Sequence, residues 1–300
     1  MLLGARPHVN QAERGPFNAN GVVHGNEPFD APIQLVSRLR MNHGYHLNPR
    51  SSRGGVALLC LAVAIAWAYL AWMAWGMEHM DVEMLLMPAM TNWRPLDLLL
   101  VWVMWALMMA GMMLPSATPM LLGFAALGRR VSPPRPTNHT LVFATGYLLV
   151  WTGFGAAATV LQWGMLEWRL ISPMMVTTTP WMAGSLLIFA GTYEFTHWKA
   201  ACLEICRAPT EFLVRYWRPG TGGALTMGLR HGAYCLGCCW ALMALLFVLG
   251  VMNLLWIAAL TLLVLAEKAL PRAQWVLRIG GAGLSGWGLW LLGRAAAAIA

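Results

Sequence analysis

Long apolar runs separated by short polar segments make up most of the chain from about residue 55 onward. A helix of about 20 apolar residues crosses the hydrocarbon core of a bilayer. A helix is expected there because each backbone polar group must find its partner within the segment. The pattern predicts an all-α, polytopic transmembrane helical bundle with about seven spans, at 56–76, 96–126, 140–163, 180–200, 235–252, 254–270 and 275–293.

Two details of this pattern affect the number and shape of the spans. Only Asn253 separates the fifth span from the sixth, so one bent helix followed by a re-entrant segment would reduce the count to six. Pro115 and Pro119 interrupt the backbone hydrogen bonds of the second span, and they predict a kink and a final half-turn near the interface.

The first 54 residues have a different composition from the rest. They are rich in Asn, Gly, Pro, Arg and His and show no apolar periodicity, so we interpret 1–54 as a disordered basic tail. Met41 is an alternative translation start. Residues 55–295 form the predicted transmembrane helical domain.

Composition supports a membrane location. Hydrophobic residues make up 59% of the chain and charged residues 11%, whereas a soluble domain carries about 25% charged residues. The net charge of +8 does not indicate nucleic-acid binding, because the basic residues lie between the apolar runs. Most of the 20 Lys and Arg fall on one side of the predicted bundle, which places the amino terminus in the cytoplasm.

Five of the six cysteines form two clusters. Cys202 and Cys206 are one helical turn apart, while Cys235 and Cys238 have a chelating spacing and Cys239 follows directly. The predicted topology brings both clusters to the cytoplasmic face. Soft thiolates select Cu(I), Zn(II) or iron–sulfur clusters, and the reducing cytoplasm disfavours disulfides. The alternatives are thiol redox chemistry and simple packing of small apolar side chains.

Three further side chains lie near these cysteines in the predicted topology. His197 and Glu194 precede Cys202 in the chain, and Glu267 ends the sixth span at the same depth. We predict that the three are auxiliary metal ligands or second-layer partners of the ligands. For Glu267, an interfacial ion pair with Lys268 or Arg272 is an equal alternative.

Methionine is abundant, with 21 residues, and it is concentrated in the second span and the loop before that span. Thioethers bind Cu(I) well and Zn(II) poorly, so a methionine stripe favours copper. Ordinary core packing is the alternative, because methionine fills helix interiors well. On the copper interpretation the route for the ion is lined by Met108, Met109, Met112 and Met113.

Several segments resemble a bacterial family of predicted metal-binding integral membrane proteins, catalogued as domain of unknown function 2182. They are 108–116, 190–199 with Cys202 and 206–209, 232–240, and 250–254 through Glu267 and Lys268. The resemblance covers roughly residues 55–293. It implies a metal-binding protein of the bacterial inner membrane, and it implies no defined reaction.

The sequence therefore predicts a membrane protein that binds a soft transition metal, with Cu(I) favoured over Zn(II), in transport, delivery or sensing. Its expected partners are the lipid bilayer, the metal ion and a metallochaperone or another membrane protein. The alternatives are a membrane thiol–disulfide oxidoreductase and a structural or assembly subunit. A non-enzymatic role is favoured, since the chain shows no phosphate-binding loop, zinc-protease motif or hydrolase elbow.

Overall fold

All regular secondary structure in the described residues is helical, which confirms the all-α prediction. The computed structural model describes residues 49–78, 94–131, 136–168, 179–251, 253–271 and 273–298. Most of the predicted tail lies outside these ranges, and the first helix begins at Pro49. The helices are α1 (Pro49–Glu78), α2 (Pro95–Val131), α3 (Pro136–Glu167), α4 (Pro180–Tyr193), α5 (His197–Arg207), α6 (Pro209–Arg215), α7 (Gly220–Ala244), α8 (Leu246–Leu249), α9 (Leu254–Ala269) and α10 (Ala273–Ala297).

Four helical segments of the described chain are long and apolar enough to cross a membrane. They correspond to the predicted first, second, third and fifth spans, and they cover Gly54–Gly76, Pro95–Gly128, His139–Glu167 and Gly220–Leu249. The other three predicted spans fall on shorter or less apolar helices. Helix α4 has 14 residues and α9 has 16, both below the roughly 20 needed for a bilayer. The count of seven spans therefore stays a prediction.

The predicted fourth span is divided into two helices. Helix α4 ends at Tyr193, and Thr196 begins α5 by accepting a hydrogen bond from the backbone N–H of Lys199 at 3.3 Å. A threonine side chain in this position satisfies an N–H that has no partner inside the helix. The division turns the chain, so the cysteines of α5 lie on a separate short helix.

Close helix packing places α3 directly against α7. A Cβ atom on Gly228 of α7 would lie 2.1 Å from the carbonyl oxygen of Phe143 in α3. On the other side of the contact, a Cβ on Gly146 would lie 2.5 Å from the carbonyl oxygen of Leu225. Glycine at both positions lets the two backbones approach, as in other tightly packed helix pairs. This approach brings the buried side chains of α3 to the cysteines of α7.

Helix α2 continues through both of its prolines. It runs on to Val131, about three turns past Pro119, so the prediction of a final half-turn is wrong. Pro115 has no N–H to donate to Gly111, four residues earlier. The Gly111 carbonyl instead accepts a hydrogen bond from the indole Nε1 of Trp67 in α1, at 3.2 Å. Surrounding side chains therefore compensate for the bond that the proline removes.

Candidate metal centre

Thiols from α5 and α7 meet inside the helix bundle. The Cys206 thiol of α5 lies close to the thiols of Cys235 and Cys238 in α7. Cys239 lies beside Cys235 on the same helix. The prediction that the two cysteine clusters lie together is therefore confirmed for Cys206.

Helical spacing explains how α7 presents its three cysteines. Residues three and four positions apart lie on one helix face, so Cys238 and Cys239 both lie beside Cys235. The Sγ atoms of Cys238 and Cys239 each donate to the Cys235 carbonyl oxygen, at 3.1 and 3.0 Å. All three side chains are buried.

The position of the cluster along its helix differs from the predicted span. Cys235 was expected at the start of the fifth span, but α7 begins at Gly220, 15 residues earlier. At 1.5 Å per residue, that offset is about 22 Å. The thiols therefore lie near the middle of α7 and not at its end.

Cys202 lies beside the cluster without joining its centre. Its Sγ atom is 2.8 Å from the place where a Cβ on Gly237 would be, so the glycine leaves room for the sulfur. Burial, and to a lesser extent the nearby Cys238, raises the pKa of Cys202. The pKa of Cys206 is raised well above the ordinary cysteine value by its hydrogen bonds to Cys235 and Cys238, and further by desolvation.

Two polar groups from other helices contact the Cys235 sulfur. The Nζ atom of Lys268 in α9 donates to Cys235 Sγ at 3.0 Å and to Ser116 Oγ at 2.9 Å. The hydroxyl of Tyr147 in α3 lies 3.1 Å from Cys235 Sγ and donates to the Met113 carbonyl at 3.2 Å. Cys235 is therefore the residue on which the cluster is centred, with a cation beside it.

Methionine thioethers adjoin the thiols on the α2 side. The Sδ atom of Met113 is 4.0 Å from Cys239 Sγ. The rest of the predicted stripe is buried in the same interior, where every side chain is at most 2% exposed: Met104, Met108, Met109 and Met112. The methionine-rich loop that precedes α2 lies outside the described residues.

The three predicted auxiliary residues do not reach the thiols. Glu194 and Glu267 both form ion pairs with the buried Lys199. His197 is exposed, and its ring packs against Trp198 with 4.9 Å between centroids. Their role as ligands stays a prediction without a supporting contact.

His231 is a candidate that the sequence argument left out of the ligand set. It lies one turn before Cys235, is buried, and stacks on the Tyr147 ring at 5.5 Å between centroids. Its Nδ1 atom has no hydrogen-bond partner in the described residues. The spacing of four residues from Cys235 was the available sequence signal.

The sulfur donors of the cluster are of the kind that soft metal ions prefer. Within the described ranges, no group of three or more His, Cys, Asp or Glu side chains is placed to hold a metal ion. A tetrahedral zinc site needs about four such ligands. Neighbouring thiols with an adjoining thioether are the donors that Cu(I) prefers. The sulfur donors present are therefore chemically compatible with a soft metal ion.

Fold and site together define an all-helical protein with membrane-length helices and a buried cluster of thiols. Residues 102–291 match the model of a family described as PpoB2, copper chaperone. The match covers more than half of the 300 residues, so the chain belongs to the PpoB2 copper chaperone family. No curated protein and no solved structure matches the chain. Family membership connects the protein to copper, while the resemblance to domain of unknown function 2182 stays a prediction.

Proposed function

We propose that this chain is an integral membrane protein that binds Cu(I) between two thiols of the cluster formed by Cys206, Cys235, Cys238 and Cys239, and delivers it to a partner protein. The observation that carries the proposal is that the Cys206 thiol of one helix lies close to the thiols of Cys235 and Cys238 on another. Two helices supply these thiols, so an ion held between them would join α5 to α7. The family description as a copper chaperone favours delivery over sensing.

Charge balance at the cluster supports a monovalent ion. Cu(I) held by two thiolates carries a net charge of −1, because each thiol loses its proton on binding. The ammonium of Lys268, 3.0 Å from Cys235 Sγ, neutralises that charge inside the protein. A buried charge with no partner would be costly. Lys268 therefore takes the role of counter-ion in this proposal.

We propose further that the methionines of α2 line a route by which Cu(I) reaches or leaves the thiol cluster. Met113 adjoins Cys239, and the other predicted route residues continue along the buried side of α2: Met108, Met109 and Met112. Thioethers bind Cu(I) more weakly than thiolates do, which suits transient contacts. We include in the proposal the seven-span arrangement in the bacterial inner membrane with a cytoplasmic amino terminus.

Metal analysis of the purified protein tests the proposal. The full chain, isolated in mild detergent under reducing conditions and loaded with Cu(I), should retain near-stoichiometric copper. A Cys206→Ser, Cys235→Ser double variant should lose it, whereas Cys60→Ser should not, because Cys60 is exposed on α1. Copper-free wild type, or a double variant that keeps its copper, would contradict the proposal.

The same contact supports a second candidate, a membrane thiol–disulfide oxidoreductase. Cys206 would attack a disulfide formed between Cys235 and Cys238, since its thiol lies close to both residues. This activity would not depend on metal. A Cys238→Ser variant should then accumulate a mixed disulfide with its substrate protein, and the absence of any trapped species would exclude the activity. Retained cellular function with all five cysteines changed to Ala would instead favour a structural subunit.

A further inference from the structure

A lysine is fully enclosed where three segments of the chain meet. Lys199 on α5 is 0% exposed, and its Nζ atom forms ion pairs with Glu194 and, at 2.9 Å, with Glu267. Glu194 directly follows α4, and Glu267 lies in the last turn of α9. We name these three residues the carboxylate–lysine triad. It holds α5 to the ends of α4 and α9.

The formal charges of the triad do not balance. Two carboxylates and one ammonium give a net charge of −1 if all three groups are ionised, and both carboxyl side chains are only 1% exposed. A net charge enclosed in this way is strongly unfavourable. Either a second cation or a proton must offset it.

No second cation faces the triad within the described part of the chain. Lys268 follows Glu267 in sequence, but its ammonium is directed to Cys235 and Ser116. Arg278 on α10 is exposed and lies over the Trp275 ring. Three other titratable side chains are close in sequence: the Tyr193 hydroxyl donates to the Gly237 carbonyl, His197 is exposed, and Cys202 lies beside Gly237.

An oxygen in the triad also lacks a donor. The Glu194 and Glu267 carboxyl groups bind the same Lys199 ammonium, so they lie near each other. Ionised carboxylates only accept hydrogen bonds, so two of them cannot satisfy each other. Accordingly, Glu194 Oε2 is buried with no hydrogen-bond partner in the described residues. A single proton between the two carboxyls would supply the missing donor and make the triad neutral.

We propose that Glu194 and Glu267 share one exchangeable proton, which makes the carboxylate–lysine triad a proton-binding site separate from the thiol cluster. The site goes beyond copper binding, since none of its three side chains touches a cysteine sulfur in the described contacts. It is nevertheless linked to the thiols through α5. Lys199 and Cys206 are seven residues apart and share the inward face of that helix. Loss of the proton would change the charge of the contact that holds Cys206 in place.

Infrared spectroscopy of the copper-free full chain at neutral pH tests this proposal directly. A protonated carboxyl group gives a C=O band that is distinct from the carboxylate bands and shifts in D2O. We expect this band in the wild type and its loss in both Glu194→Gln and Glu267→Gln, because each variant leaves one carboxylate paired with Lys199. Glu204→Gln is the matched control, since Glu204 is exposed on the same helix.

Two results would overturn the proposal. One is a wild-type spectrum without a protonated carboxyl band, which needs no variant to interpret. The other is a band that survives in both glutamine variants. Because copper is absent throughout, neither result depends on whether the thiols bind copper, so a failure here is distinguishable from a failure of the copper proposal.

Discussion

The inward face of α5 contributes to two buried polar clusters that differ in how they tolerate burial. At one end, Cys206 joins a cluster of thiols, which pack as small apolar groups when they are protonated. At the other end, Lys199 joins two carboxyl groups, which cannot be enclosed without a partner. The comparison teaches that the triad anchors the helix, while the thiols remain free to exchange their protons for a metal ion.

The largest expected effect comes from breaking the anchor. Lys199→Met would leave buried carboxyl groups without their cation, and breaking a buried ion pair in this way costs about 3–5 kcal/mol. A triple variant that also carries Glu194→Gln and Glu267→Gln should be less destabilised, because no charge is left unpaired. Denaturant unfolding in detergent measures both, and equal losses would contradict the anchoring role. Cys206→Ala, at the other end of α5, should cost only about 1 kcal/mol.

A smaller effect should follow from separating α3 from α7. In Gly228→Ala, the new Cβ would lie 2.1 Å from a backbone oxygen of Phe143, so the helices must move apart. Overpacking of this kind costs about 1–3 kcal/mol. It should also draw Tyr147 away from Cys235 and lower copper retention. Gly222→Ala is the control, because nothing lies within 4 Å of its Cβ position. Equal stability of the two variants would exclude the close helix contact.

The pH dependence of the free energy of unfolding should report on the environment of the Cys206 thiol. Hydrogen bonds to Cys235 and Cys238 raise the pKa of Cys206 well above its usual value in the folded protein. An unfolded chain releases this proton near pH 8.5, so the folded state binds more protons above that pH. The free energy of unfolding of the copper-free protein should therefore fall above about pH 8.5, by at most about 1.4 kcal/mol per pH unit from this group. Cys206→Ala should reduce that slope, and an unchanged slope would contradict the thiol contact.

The smallest effect should come from Tyr147→Phe. The variant removes one hydroxyl that contacts both Cys235 Sγ and the Met113 carbonyl. A single hydrogen bond of this kind contributes about 0.5–1.5 kcal/mol. A double-mutant cycle with Cys235→Ala isolates the part that belongs to the sulfur. Strict additivity of the two changes would show that the hydroxyl does not stabilise the thiol cluster.

The sequence predicted the cysteines of the site better than the side chains from other helices that contact them. The helical spacing predicted the two cysteine motifs, and the predicted topology brought them to the same face of the bundle. The sequence did not predict the partners from other helices. Lys199 and Lys268 were counted as basic residues flanking the spans, yet each reaches inward to a buried partner.

Helix ends account for most of the other differences. The turn at 194–196 divides an apolar run that looked continuous, because Thr196 caps a new helix there. Conversely, α7 begins 15 residues before the predicted span. The small and polar residues near Gly220 do not look apolar in the sequence, but packing against α3 stabilises the helix there. Hydropathy measures how apolar a segment is, and it does not measure tertiary contacts.

Pro115 gives α2 an outward-facing acceptor for its neighbour. The Gly111 carbonyl is available to the Trp67 indole only because no N–H of α2 competes for it. Helix α1 precedes the region matched by the family model, which starts at residue 102. Pro115 thus leaves α2 with a hydrogen-bond acceptor that attaches α1 to it. Replacing Trp67 with Phe should weaken the packing of α1 on α2 and leave the thiol cluster unchanged.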